Sequence, residues 1–101
     1  MPNPNQPTLN NLASLYDKVG HIFPDLDDSK STDVVYVTEY MEETIKKFAK
    51  YPAELYYFIS TVMEISEKVL LELSGKDLYE LFVDAITKSQ ILIFKQFVES
   101  I

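Results

Sequence analysis

The residues best placed to do chemistry are acidic. Asp25, Asp27, Ser29, Ser31 and Asp33 alternate along a short segment. Oxygen ligands at alternate positions resemble the first part of a helix–loop–helix calcium loop. Two requirements of such a loop are missing. The sixth position is Lys30, where the tight turn needs Gly, and the twelfth is Tyr36, where a bidentate Glu belongs. The segment therefore reads as a solvated acidic connector that also caps a helix.

His21 is the only histidine, and the chain has no cysteine. A zinc site or a Ser-His-Asp arrangement would have to be built around that one side chain. Neighbouring carboxylates such as Glu42 and Glu43 are better explained as i,i+4 partners of Lys46 and Lys47. None of the short motifs HExxH, GxSxG, GxxxxGK or GxGxxG occurs. No catalytic set, metal set or cofactor is expected, and the chain reads as a non-enzyme.

Seven tyrosines are many for 101 residues. Tyrosine combines a large apolar face with a polar tip and is enriched in interfaces. Tyr36, Tyr40 and Tyr57 fall toward the edge or outside of their apolar stripes, which makes them candidate partner contacts.

The elements that must position these residues follow from periodicity. The hydrophobic fraction is 47% and the charged fraction 25%, as in a globular chain. Only two glycines occur, too few for a sheet with tight hairpins. Residues 1–7, with Pro2, Pro4 and Pro7, read as a disordered tail. Residues 8–101 read as a single helical domain. A first helix is predicted over about 8–22, with Thr8 or Asn10 as cap and Gly20 and Pro24 ending it. A second runs over about 33–50. Its start, DVVYVT, is β-branched, but Val34, Val37, Met41, Ile45 and Phe48 keep helical spacing. A third runs over about 52–73 with Leu55, Ile59, Val62, Ile65 and Val69 on its core face, closed by Gly75. Pro52 either starts that helix or kinks one long helix from 33 to 73. A fourth runs over about 77–100, started by Asp77 with Glu80 three residues on. The expected fold is all-α: a bundle of three to four helices whose last two form an antiparallel hairpin.

The last helix is the most informative. Leu78, Leu81, Phe82, Ala85, Ser89 and Leu92 make one stripe. Tyr79, Val83, Ile86, Ile93, Phe94, Phe97 and Ile101 make a second. A helix apolar on every side is central to a bundle or covered by a partner. The second stripe, with Tyr36, Tyr40 and Tyr57, is the expected partner-binding surface.

The net charge is −7, and the positive charge is nine Lys with no Arg. Arg is the residue suited to bidentate phosphate and base contacts, so no nucleic-acid partner is expected. No run of 18 apolar residues spans a membrane, and MPNPNQPT has no signal-peptide features. The expected location is cytoplasmic. The functional expectation is an acidic protein–protein interaction module, regulatory, inhibitory or chaperone/adaptor-like, that binds a protein partner, itself as a homodimer, or both. The alternative is a bundle that encloses a hydrophobic small molecule or lipid-like ligand between Met41, Met63, Phe58, Phe82 and Phe94.

Overall fold

In a computed structural model, four phenylalanines from four different segments meet in one cluster. Phe48 lies 4.9 Å from Phe82 and 5.2 Å from Phe23, and Phe58 lies 5.9 Å from Phe23 and 5.8 Å from Phe82, ring centre to ring centre. All four are buried. Their mostly edge-to-face geometry is the one the ring quadrupoles favour.

The structure describes residues 9–30 and 32–100, and these residues are all-α, with no strand. The helices are α1 (Leu9–Val19), α2 (Val34–Phe48), α3 (Pro52–Met63), α4 (Glu67–Leu71), α5 (Gly75–Ser89) and α6 (Ile91–Glu99). Two 3-10 turns, Gly20–Ile22 and Asp28–Lys30, lie between α1 and α2. The expected tail over residues 1–7, the Thr8 cap, Ser31 and Ile101 lie outside the described residues.

The expected three or four helices become six because long amphipathic runs are interrupted. Pro52 starts α3 as its first residue, so the chain breaks there. Tyr51 is forced out of the helical region by the proline ring, at φ −133° and ψ 65°. The predicted third helix stops at Met63, where Glu64 takes a left-handed conformation at φ 56° and ψ 42°. Ser66 then caps α4, its Oγ accepting from the Lys68 N–H at 3.2 Å. Serine competes for backbone donors in this way, which disfavours helix interiors. The break changes which side chains face inward. Leu55, Ile59 and Leu70, all on the predicted apolar stripe, are buried, Val62 and Ile65 only partly, and Val69 is exposed. Gly75 is not a C-terminal stop but the first residue of α5, and the cap is Ser74, whose Oγ accepts from the Asp77 N–H at 3.2 Å.

On α2 the helical reading of DVVYVT holds. Asp33 caps it, accepting from the N–H groups of Val35 (2.9 Å) and Tyr36 (3.2 Å). The inward face is Tyr40, Thr44 and Phe48. Val34, expected on that face, is 78% exposed because it sits in the first turn.

The most extensive helix contact is between α3 and α5, through Phe58 and Phe82. Gly20 joins α1 to this body. A Cβ there would fall 2.5 Å from Cδ2 of Tyr16, one turn earlier, so only glycine lets that ring lie across the chain. Gly75 has nothing within 4 Å of such a Cβ. Alanine at the two sites should therefore act in opposite directions. Gly20→Ala should cost about 1–3 kcal/mol by overpacking. Gly75→Ala should add about 0.4–1 kcal/mol by restricting the unfolded chain. Urea denaturation midpoints read both, and equal shifts of one sign would contradict the account.

Candidate interaction surface

The predicted fourth helix bends at Gln90, which is left-handed at φ 56° and ψ 28°. Ser89, fully buried, holds the bend: its Oγ accepts from the Ile91 N–H at 3.3 Å and donates to the Ile86 carbonyl at 3.2 Å. The bend rotates α6 relative to α5 and sorts its apolar residues anew. Ile91 becomes fully buried, and Phe94 packs edge-to-face on Tyr16 at 5.6 Å. Ile93 and Phe97 turn outward, at 64% and 59% exposed. They are four residues apart and so adjacent on one face.

Lys95 stands on the inward face and is only 5% exposed. Its ammonium pairs with Glu99 one turn on and with Asp25 of the connector at 3.9 Å. The two carboxylates are far more solvated than the cation. Lys95 thus ties α6 to the connector while its stem fills space beneath the helix.

The expected partner-binding residues divide. Ile93 and Phe97 are exposed together, and Ile101 lies outside the described residues. Ile86 is 3% exposed and belongs to the core, so it is not a surface residue. Tyr79, Val83 and Phe94 are half-buried. The three tyrosines are engaged within the chain. Tyr40 is buried and its hydroxyl donates to the Pro24 carbonyl at 2.7 Å. One turn earlier, the Tyr36 hydroxyl accepts from the Asp27 N–H at 2.8 Å. The half-buried Tyr57 ring lies under the Lys18 ammonium, 4.6 Å from its centre. Tyr36 and Tyr40 are spaced to face one way from α2, and that way lies the connector. Their polar tips make them staples. Phe58 and Phe82, read as possible ligand-cavity walls, pack ring to ring instead.

Two of the connector's acids, Asp27 and Asp33, are turned to the local backbone as well. Asp27 Oδ1 accepts from the Ser29 N–H (3.0 Å) and Oγ (2.7 Å), and these hydrogen bonds hold its carboxyl below the ordinary value of 3.8. Asp33 is spent on the α2 cap. Among the described residues no three of His, Asp and Glu gather as a metal site would need. His21 lines an open hollow of about 200 Å³ with Ile22, Lys47, Lys50 and Tyr51. That hollow lies at the C-terminal end of α2, where lysines offset the negative end of the helix dipole.

Further exposed apolar side chains were not anticipated: Val35 beside Val34 at the start of α2, and Leu71 after the buried Leu70. A position in the first turn of a helix, and a Leu-Leu pair of which one must face outward, are the signals that marked them. Among the described residues no helix is long and apolar enough to cross a membrane. Comparison with protein-family models, curated proteins and solved structures finds no match.

Two substitutions test the polar contacts. Burial, reinforced by the charges of Asp25 and Glu43, pushes the Tyr40 phenol above its ordinary value of 10.0. The folded chain then holds this proton more tightly than the unfolded chain. The associated stability is full below about pH 10 and is lost as pH rises beyond it. Alkaline difference spectroscopy should show a late-titrating phenol that Tyr40→Phe removes, at a cost of about 1–3 kcal/mol from the abandoned carbonyl. For the buried ammonium, Lys95→Met should leave stability unchanged or higher, because Asp25 and Glu99 stay in water. Lys95→Glu should lose about 3–5 kcal/mol. A large loss for the methionine variant would mean that the ion pairs, and not the stem, hold α6.

Proposed function

We propose that this protein is a non-catalytic protein–protein interaction module, regulatory or adaptor-like in role, and that the outer face of α6 is its contact. One observation carries the reading. Ile93 and Phe97 stand exposed one turn apart on a helix whose other face, through Ile91, Phe94 and Lys95, is already occupied. Two large side chains so placed form a docking ridge of the helix-face kind. Covering apolar area is worth about 25 cal/mol per Å², offset by the entropy of association. A homodimer is the simplest closed arrangement, because one patch serves both sides. The net charge of −7 gives the chain a field that favours encounter with a basic partner protein and disfavours nucleic acid. A cysteine-free chain fits a reducing compartment, and we assign it to the cytoplasm.

Ile93→Asp and Phe97→Asp test the reading, because both residues are exposed and contribute little to the monomer. Each should leave the unfolding midpoint within about 0.5 kcal/mol of wild type. Wild-type protein should associate with rising concentration in sedimentation velocity, and the two substitutions together should abolish this. Wild-type protein that sediments as a monomer at every concentration would remove the homodimer. Unfolding of both variants would place the ridge in the chain's own core and overturn the module.

A further inference from the structure

Gln90 and Glu64 are the non-glycine residues with positive φ among those described. A side chain raises the energy of that conformation, so each site is held by its surroundings. The two differ in what depends on them. Straightening the chain at Glu64 would drag α5 and Phe82 out of the aromatic cluster. Straightening it at Gln90 would move α6 alone, which carries none of the four clustered rings.

The sequence around Gln90 is suited to both shapes. On one continuous helix through Gln90, Ile93 and Phe97 would lie within about 60° of Phe82, extending the Phe82–Ile86 stripe, and Ile91 would lie about 180° away. In the bent chain the order is reversed: Ile91 is buried while Ile93 and Phe97 are exposed. One apolar face of α6 is thus in register with the bent form and the other with the straight form. Straightening would also let the Ile91 N–H donate to the Thr87 carbonyl in an ordinary helical bond, in place of the longer contact to Ser89 Oγ.

We infer that Gln90 is a hinge for exchange of α6 between two copies of this chain. In the exchanged dimer α5 and α6 form one helix. Phe94 of each copy packs against Tyr16 of the other, and Lys95 meets the other copy's Asp25. The occupant is specified by the structure itself, because α6 already fits the surface formed by α1 and the connector. Only the connectivity changes, and each exchange releases two left-handed residues. Ile93 and Phe97 then extend the inward stripe of α5 into the region where two straightened helices cross. This inference rests on the proposal that the protein associates with itself, and names the form the association takes.

The test uses two hinge variants of the full chain at an exposed position. Gln90→Gly removes the penalty for the bend and should hold the monomer. Gln90→Ala favours the continuous helix and should raise the dimer association constant at least about tenfold over Gln90→Gly, read by sedimentation equilibrium. Circular dichroism confirms that both fold. Exchange itself is read by cross-linking, since the chain has no cysteine. Tyr16→Cys and Phe94→Cys chains, each carrying Gln90→Ala, are unfolded together, refolded and treated with a short bis-maleimide. Covalent heterodimers linked between positions 16 and 94 are the expected product. Failure takes two distinguishable forms. Dimers of equal strength in both hinge variants, without 16–94 links between chains, would overturn the exchange and leave side-by-side association standing. Monomers in every variant would overturn both.

Discussion

Everything else in this fold is arranged around four phenyl rings. Phe23, Phe48, Phe58 and Phe82 come from the turn after α1, the end of α2, the middle of α3 and the middle of α5. Each aromatic pair adds about 0.5–1.5 kcal/mol beyond the area it buries. The cluster places strict demands on the chain. Phe23 must be delivered by a tight turn, which Gly20–Ile22 provides with Ile22 also buried. Phe48 must be the last helical residue of α2 so that α3 can return Phe58 to it ten residues later. Pro52 makes that return possible, because it closes one helix and opens another within a few residues.

The same demand accounts for the two left-handed bends. With Phe58 and Phe82 locked together, the chain between them must reverse within a short span, and it does so through Glu64 and the five-residue α4. Beyond Phe82, α5 leads away from the cluster, and the bend at Gln90 brings α6 back over α1. Both bends place an ordinary side chain where glycine is favoured. Packing on either side of each bend outweighs that local cost. Leu70 is buried after the first, and Ile91 and Lys95 after the second.

Polar groups then hold what the rings do not reach. The acidic connector runs outside the cluster and contributes Phe23 at its start. Tyr40 and Tyr36 pin it to α2 through Pro24 and Asp27, and Lys95 meets it from α6 through Asp25. One surface segment is thereby hydrogen-bonded to α2 and touched by α6, through an ion pair whose exposed carboxylate contributes little. This arrangement also gives Tyr36 and Tyr40 a role within the chain. A tyrosine near the edge of an apolar stripe serves a partner or serves its own chain equally well. The choice depends on whether a carbonyl or an N–H of the same molecule lies within reach of its hydroxyl.

Sequence alone determined the helical class, the start of α2 and the inward positions of Leu55, Ile59, Phe82 and Ala85, while the structure decided that Pro52 starts a helix and that Asp33 is the cap. The former follow from local rules: periodicity of 3.6, proline geometry and side-chain caps act within a turn or two. Tertiary structure decided where the long amphipathic runs break. At Glu64 and Gln90 the local preference is for continued helix, and no glycine or proline marks either site. The bends exist because residues far apart in sequence must meet, Phe58 with Phe82 and Tyr16 with Phe94. Each bend then reassigned faces beyond it: Val69 is exposed after the first, and after the second Ile91 is buried and Phe94 packs on Tyr16. A one-residue change of phase turns a helix by about 100°, so the direction of a side chain such as Ile91 or Phe94 is set by the bend before it and not by the run that precedes the bend.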